Sequence, residues 1–421
     1  MLRLQSFNRA FPSSFYIIKW LGICAVLGSC VGSVSAFFLL SLEWATDFRE
    51  SHWWIIGLLP LAGLLIGLLY YYYGKEVESG NNLLIDTIHN PQKFIPFRMA
   101  PFVLLGTITT HLFGGSAGRE GTALQMAGAI GEQFSRRFRL NEYDRKILLI
   151  SAISAGFGSV FGTPLAGAIF GLEVFLIGRL KYDAIFPSFA SAIIASLVTD
   201  SWQVKHTHYH IPFVPETSVS TLFYAVLAGV AFGIVAATFS KTIHFCSKLL
   251  KSKIAYPPLR PAIGGIVVVA GVWLVGTKYI GLGIPTIIES FEKSLPPYDF
   301  ALKILFTIVT LSAGYKGGEV TPLFFIGATL GNALSYFIPL PTGLLAGMGF
   351  VAVFAGATNT PLACMIMGIE LFGKDCGIFV AVACVVSYLL SGHNSIYNAQ
   401  VIGEPKNSIF AKSNGKKVHE K

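Results

Sequence analysis

The sequence predicts an all-α polytopic membrane protein built from two related halves, and three observations carry the prediction. Only 13% of the 421 residues are charged while 53% are hydrophobic, against about 25% charged in an ordinary soluble domain. The mean hydropathy is +0.63. Long apolar runs recur along the chain, and a set of short motifs returns at an offset of about 200 residues. Together these exclude a soluble globular domain.

The clearest apolar runs are 15–42, 53–73, 99–113, 147–161, 182–197, 222–237, 263–275 and 378–390. Several are shorter than the roughly 20 residues a straight span needs. Short, Gly-rich and Pro-bounded apolar pieces imply broken or re-entrant helices, tolerated where protein or a water-lined cavity satisfies the freed backbone. The formal charge of +9 is no nucleic-acid signal, because the basic residues sit in short connectors: Arg3 and Arg9; Arg136, Arg137, Arg139, Arg145 and Lys146; Arg179 and Lys181; 248–253; and 412–421. By the positive-inside rule these connectors and both termini are expected on the cytoplasmic side. The run 15–42 is too long for a signal-peptide core and is expected as the first membrane helix.

The expected organisation is a cytoplasmic segment 1–14, a membrane domain 15–400 with halves at about 15–200 and 220–400, and a cytoplasmic tail 401–421. The tail is too short for a regulatory domain. The six cysteines, Cys24, Cys30, Cys246, Cys364, Cys376 and Cys384, lie in or beside apolar segments without C-x-x-C spacing, so neither disulfides nor zinc are indicated. His206, His208 and His210 form an H-x-H-x-H run without an accompanying Cys or carboxylate. It reads as an exposed loop before it reads as a metal site.

The repeat is specific. Thr163-Pro164-Leu165-Ala166 returns as Thr360-Pro361-Leu362-Ala363, each followed by a Gly (Gly171, Gly368) and a Glu (Glu173, Glu370) at the same spacing. Glu120-x-Thr122-x-Leu124 matches Glu319-x-Thr321-x-Leu323, with Gly128-Ala129 and Gly327-Ala328 following. More weakly, Gly80-Asn81-Asn82-Leu83 matches Gly281-Leu282-Gly283-Ile284. The offsets are 197, 199 and 201 residues, in one order. Repeated membrane halves signal a secondary transporter or related channel, with substrate held near midplane where discontinuous helices meet. Most of the 44 glycines serve close helix packing on this reading.

Two repeated glutamates carry the chemistry. Glu120 follows the Gly-rich stretch 114–119 and opens a helical run, so its carboxylate meets unpaired N–H groups and a positive dipole, where a small anion is also stabilised. A carboxylate that occupies an anion site can leave it on protonation, a basis for proton-coupled exchange; the alternative is a salt bridge with Arg119. Glu319 stands before Val320-Thr321-Pro322, and a carboxylate beside an anion site implies that it is protonated for part of the cycle, since burial and a nearby negative charge favour the neutral form. Its alternative is neutralisation by Lys316. Glu173 and Glu370, by their symmetry, read as packing or capping groups. Gly114-x-Ser116-x-Gly118 also matches a hydrolase nucleophile elbow, but that motif needs a preceding strand and a His base; an intramembrane hydrolase is the remote alternative, and no enzymatic role is expected.

The stretches Gly118-Arg119-Glu120-Gly121-Thr122 and Gly317-Gly318-Glu319-Val320-Thr321-Pro322, the two Thr-Pro-Leu-Ala helices and Ile396-Tyr397 resemble the CLC family of chloride channels and proton-coupled anion exchangers, from about Phe15 to Gln400. The resemblance implies an inverted-repeat fold of about eighteen helices, a homodimer with one pathway per subunit, a gating glutamate at Glu120, and a central anion held by amides near Val320 and Thr321 and by the Tyr397 hydroxyl. Tyr397 as an interfacial belt residue is the alternative.

The departures are informative. Chloride-selective members carry Gly-Ser-Gly-Ile-Pro in the first half, where this chain has Gly80-Asn81-Asn82-Leu83-Leu84; Thr122 stands where proline is common; Glu319 replaces an apolar residue; and the internal proton-transfer glutamate falls at Val174. Together they resemble the fluoride-exporting branch. Fluoride is small and strongly hydrated, so stripping its water needs close donors, which Asn81, Thr321, Tyr397 and backbone amides supply; Asn81 as a plain helix cap is the alternative. The implied activity is fluoride export against protons, with Glu120 moving in and out of the anion site and Glu319 passing the proton, and the 34 phenylalanines completing a constriction that sequence does not assign. A chloride or nitrate exchanger and a passive anion channel are the alternatives. The expected partners are fluoride or chloride, protons, the bilayer of a prokaryotic cytoplasmic membrane and a second copy of the chain, with no nucleic acid, cofactor or metal.

Overall fold

The computed structural model describes residues 12–90 and 92–420; residues 1–11, which begin the expected cytoplasmic segment, lie outside them. Eight helices precede a linker and eight follow it. The first half runs α1 (Pro12–Ser51), α2 (Leu59–Tyr73), α3 (Asn81–His89), α4 (Met99–Leu112), α5 (Glu120–Arg137), α6 (Glu142–Phe161), α7 (Pro164–Glu173) and α8 (Ile185–Ser201). The second runs α9 (Val219–Lys253), α10 (Leu259–Val275), α11 (Ile284–Glu292), α12 (Asp299–Ala313), α13 (Val320–Leu334), α14 (Thr342–Thr358), α15 (Pro361–Phe372) and α16 (Gly377–Leu390). Each half opens on its longest helix and carries its two shortest, α3 and α7 or α11 and α15, in the same places. The described residues thus hold sixteen α-helices, against the eighteen or so implied by resemblance, with short 3-10 turns such as Trp53–Leu58 and Lys374–Cys376 leading into some of them.

Four helical stretches are long and apolar enough to cross a bilayer: Tyr16–Ser51, Trp53–Tyr73, Tyr182–Ser201 and Val219–Lys253. Large side chains such as Ile18, Leu61, Leu197 and Leu274 are exposed on helix surfaces, which suits lipid and not water. The short helices α3, α7 and α11, of nine or ten residues, cannot span about 30 Å of hydrocarbon; some of their ends stop inside the protein, as at the buried Thr163 before α7.

The Thr-Pro-Leu-Ala repeats show how such buried ends are satisfied. Thr163 and Thr360 precede α7 and α15 with nearly the same backbone (φ −123°, ψ 74° and φ −124°, ψ 63°), and Pro164 and Pro361 take the first helical position, where proline loses no hydrogen bond. The Glu173 carboxylate accepts from the Leu362 and Ala363 N–H groups (3.2 and 2.9 Å). Glu370 returns the exchange, accepting from Leu165 and Ala166 (3.0 and 2.8 Å). Each half caps the other's helix, so the capping role expected for this pair is what the structure shows. We expect Glu173→Ala and Glu370→Ala each to cost about 1–2 kcal/mol, read as earlier loss of monodisperse protein on heating in detergent. A double variant that melts with the wild type would contradict the assignment.

After α16 the chain folds back. A two-residue strand, β2 (Val401–Ile402), pairs in parallel with β1 (Leu176–Ile177), which follows α7. Lys417 Nζ lies 2.6 Å from Asp86 of α3, and Arg179 pairs with Glu404 at 2.6 Å. The tail is thereby docked beside the helix that carries Asn81.

Candidate anion site

The site forms where the two halves meet. Gly118 and Gly318, each two residues ahead of a helix, exchange backbone hydrogen bonds: Gly118 N–H to Gly318 O at 2.6 Å and Gly318 N–H to Gly118 O at 2.8 Å. Helices α5 and α13 therefore start against each other. A Cβ on Gly118 would sit 2.7 Å from Glu120 Oε2 and 2.9 Å from Gly318 O, so only glycine permits this approach.

This pair corrects the register read from sequence. Equating Gly118 with Gly318 makes Glu120 the counterpart of Val320 and Glu319 the counterpart of Arg119, one residue out from the Glu120–Glu319 match. The motif match followed Thr122/Thr321 and the later Gly-Ala pairs. One residue turns a helical side chain by about 100°, and the two carboxylates accordingly point to different places.

Glu120 is the first residue of α5 and fully buried. Its Oε2 accepts from the Thr321 N–H at 3.1 Å and the Arg119 N–H at 3.1 Å, and its Oε1 accepts from the Thr321 hydroxyl. The carboxylate thus sits at the start of α13, where orphan amides and the helix dipole favour negative charge. Arg119 Nε is 3.8 Å from Glu120 Oε1, an ionic contact but no hydrogen bond, so the Thr321 N–H and hydroxyl and the Arg119 N–H, not the guanidinium, seat the side chain. Val320 begins α13 and is fully buried.

Three further expected residues line one vestibule of about 560 Å³: Asn81, Glu319 and Tyr397. Asn81 opens α3 and packs on Gly121, where a Cβ would meet its Nδ2 at 2.8 Å. Its Oδ1 is buried without a hydrogen-bond partner, as is the Tyr397 hydroxyl. Such orphan groups are costly in an interior, and both amide orientations of Asn81 offer a polar atom to the same space. Tyr397 is buried, which removes the interfacial-belt alternative. Lys316 lies over the Tyr70 ring at 3.9 Å, and no ion pair joins it to Glu319 among the described residues.

Several contributors carried no sequence signal. Asn82 Oδ1 accepts from Ala399 N–H at 3.0 Å, tying α3 to the Tyr397 loop. The buried Gln400 donates to Val174 O and Thr358 O, both at 2.7 Å, and accepts from Asn359 and Ser395; Ser395 Oγ in turn accepts from Tyr397 N–H at 3.0 Å. Thr122, standing where proline is common, bonds the Thr107 hydroxyl at 2.6 Å. Phe324 stacks on Phe350 (4.0 Å) with Phe161 beside it (5.2 Å), Phe170 and Phe175 share a small void with Asn81, Val174 and Tyr397, and Phe157 and Phe354 join the two sets.

The H-x-H-x-H run is exposed at His208 and His210, as expected of a loop, and half-buried at His206. His206 packs on Gly162 and lies 3.5 Å from Asp200, and Tyr209 is wedged against Phe291, Phe350 and Phe372. No cluster suited to a metal ion exists among the described residues. Ser116, the would-be elbow nucleophile, is bonded to Thr307 at 3.0 Å rather than to a histidine.

Two interlocked helical repeats, with helix starts converging on a buried carboxylate, define a membrane transport protein of the anion-handling class. The chain belongs to the family described as voltage gated chloride channel, which it matches over residues 62–392. It is 52% identical over 93% of its length, and 88% of the relative's, to a chloride/fluoride channel protein of Pseudomonas syringae pv. tomato. Among solved structures it is similar to a CLC-type fluoride/proton antiporter (35% identity, TM-score 0.88, covering 91% of this chain and 98% of that one). A slow cyanobacterial chloride/proton antiporter shares the fold at 18% identity and TM-score 0.77, covering 93% of this chain and 97% of that one. The protein is thus an integral membrane transporter or channel of the CLC family and not an enzyme.

Proposed function

We propose that the protein is a fluoride/proton antiporter that exports fluoride across the cytoplasmic membrane. The observation that carries this reading is the Glu120 carboxyl group, which accepts from the Thr321 N–H and hydroxyl and the Arg119 N–H. A fluoride ion at the same seat would find the same donors, short enough to replace water. Fluoride is also the anion of the 35%-identical antiporter, and one of the two for which the Pseudomonas chloride/fluoride channel protein is named.

In this mechanism Glu120 and fluoride exclude one another. Protonation discharges the Glu120 carboxylate, frees the donors and lets the side chain swing away; deprotonation returns it. Asn81 and the Tyr397 hydroxyl hold the ion on the vestibule side, and Glu319, in the vestibule wall, hands protons toward Glu120. Lys75, Lys251, Arg260 and Lys316 share that wall and attract anions to it. Basic residues there favour a cytoplasmic vestibule and cytoplasmic termini. Each subunit of a homodimer carries its own pathway.

Fluoride moving out and protons moving in transfer charge in the same electrical sense, so the exchange is electrogenic. With equal fluoride on both sides of a liposome membrane, a pH gradient alone shifts the reversal potential away from zero. A potential that stays at zero identifies a passive channel and sinks the exchanger reading; the same measurement with chloride or nitrate identifies the anion.

A further inference from the structure

We propose that the linker between the halves is a lid on the outer end of the anion path, and that Thr207 and Tyr209 in it, with Arg119, form an outer anion-binding chamber. The inference rests on the transport reading above.

The placement follows from α9. Its 35 residues extend about 52 Å, more than the roughly 30 Å hydrocarbon core. Near its far end Lys251 lines the vestibule. The linker, 202–218, precedes its near end and therefore lies at the opposite membrane face. There the chain turns inward. His206 sits on Gly162, Tyr209 is held by Phe291, Phe350 and Phe372 at 5.4, 5.1 and 6.1 Å, and Ile211 is buried. A loop with nothing to cover would leave these groups in solvent.

Beneath the loop is a cavity of about 20 Å³, lined by Arg119, Thr207, Tyr209, Thr321, Phe324 and Phe350 among others. That is room for one water-sized species. Thr321 is shared with the Glu120 seat, so the chamber adjoins that seat on the side away from the vestibule. Arg119 Nε is buried with no hydrogen-bond partner. Its nearest carboxylate, Glu120, is beyond hydrogen-bond reach. When Glu120 leaves on protonation, the guanidinium faces the chamber with an unused donor and no counter-ion. The Thr207 and Tyr209 hydroxyls, which hydrogen-bond to each other and so leave one proton to donate, and one unpaired cationic donor around a single-ion space suit a small, strongly hydrated anion, and the aromatic wall keeps bulk water out.

Thr207→Val and Tyr209→Phe preserve side-chain shape and remove one hydroxyl each. In liposomes holding protein of one orientation, each variant should raise the half-saturating fluoride concentration at the outer face about tenfold, the loss of one hydrogen bond to an ion. The inner half-saturating concentration should stay within about twofold of wild type, and elution as a single species shows that the variant is folded. Unchanged outer affinity, or equal changes at both faces, overturns the lid. If wild type carries chloride but not fluoride, the fluoride reading fails and the same comparison in chloride still decides the lid. A wild type that carries neither anion overturns both.

Discussion

Glu120→Gln is expected to abolish proton coupling. Glutamine keeps the size of the side chain and an acceptor for the Thr321 or Arg119 N–H, so the protein should fold and elute as wild type. It cannot alternate between charged and neutral forms, and the competition between side chain and anion at the start of α13 then no longer depends on pH. Fluoride flux should fall at least about tenfold, as expected when a group that acts in the rate-determining state is lost. The residual flux should show a reversal potential set by fluoride alone. Glu319→Gln provides the contrast: the seat is untouched, so fluoride binding should stay within about twofold while coupled flux slows. If Glu120→Gln still responds to a pH gradient, the gate lies elsewhere.

Gly327→Val is expected to prevent folding. Gly327 of α13 and Gly349 of α14 are in reciprocal contact, and a Cβ on either would run into the backbone carbonyl of the other. Helices in lipid gain their association from close van der Waals approach. Overpacking commonly costs about 1–3 kcal/mol where side chains can shift; here only backbone could move. The cost should exceed that range, seen as loss of monodisperse protein in detergent. Gly22→Ala is the control: nothing lies within 4 Å of its added Cβ, and alanine in a helix is favoured over glycine by about 1 kcal/mol. Equal yields of the two variants would show that α13 and α14 tolerate separation.

Most of the architecture was legible because it is written in long-range periodicities. Some apolar runs became helices within a few residues, as with 99–113 against Met99–Leu112, while 15–42 and 222–237 lie inside the much longer Pro12–Ser51 and Val219–Lys253. The Thr-Pro-Leu-Ala repeat marked helix starts because proline at the first helical position has local meaning. The capping of Glu173 and Glu370 followed from symmetry alone. What escaped were features set by contacts between distant residues. Gln400 joins Val174, Thr358, Asn359 and Ser395, yet a single glutamine in a loop has no pattern to detect. The one-residue register of Glu319 depended on which glycines paired, and similar motifs at offsets of 197 to 201 residues cannot resolve that. The histidine run is exposed at His208 and His210, as its polar neighbours suggest; what escaped is Tyr209 between them, which finds an aromatic pocket formed by three other elements.

The hydrogen-bonded glycines also give the path a direction. A strict two-fold relation through Gly118 and Gly318 would make both faces of the membrane alike. At the first position beyond each glycine the chain instead places opposite charges, Arg119 on the outer chamber and Glu319 on the vestibule. At the next, one half sends a carboxylate across and the other has only Val320, while Gly121 is met by the uncharged amide of Asn81. The two ends of the path are therefore unlike, with a fixed cation toward one solution and a titratable acid toward the other.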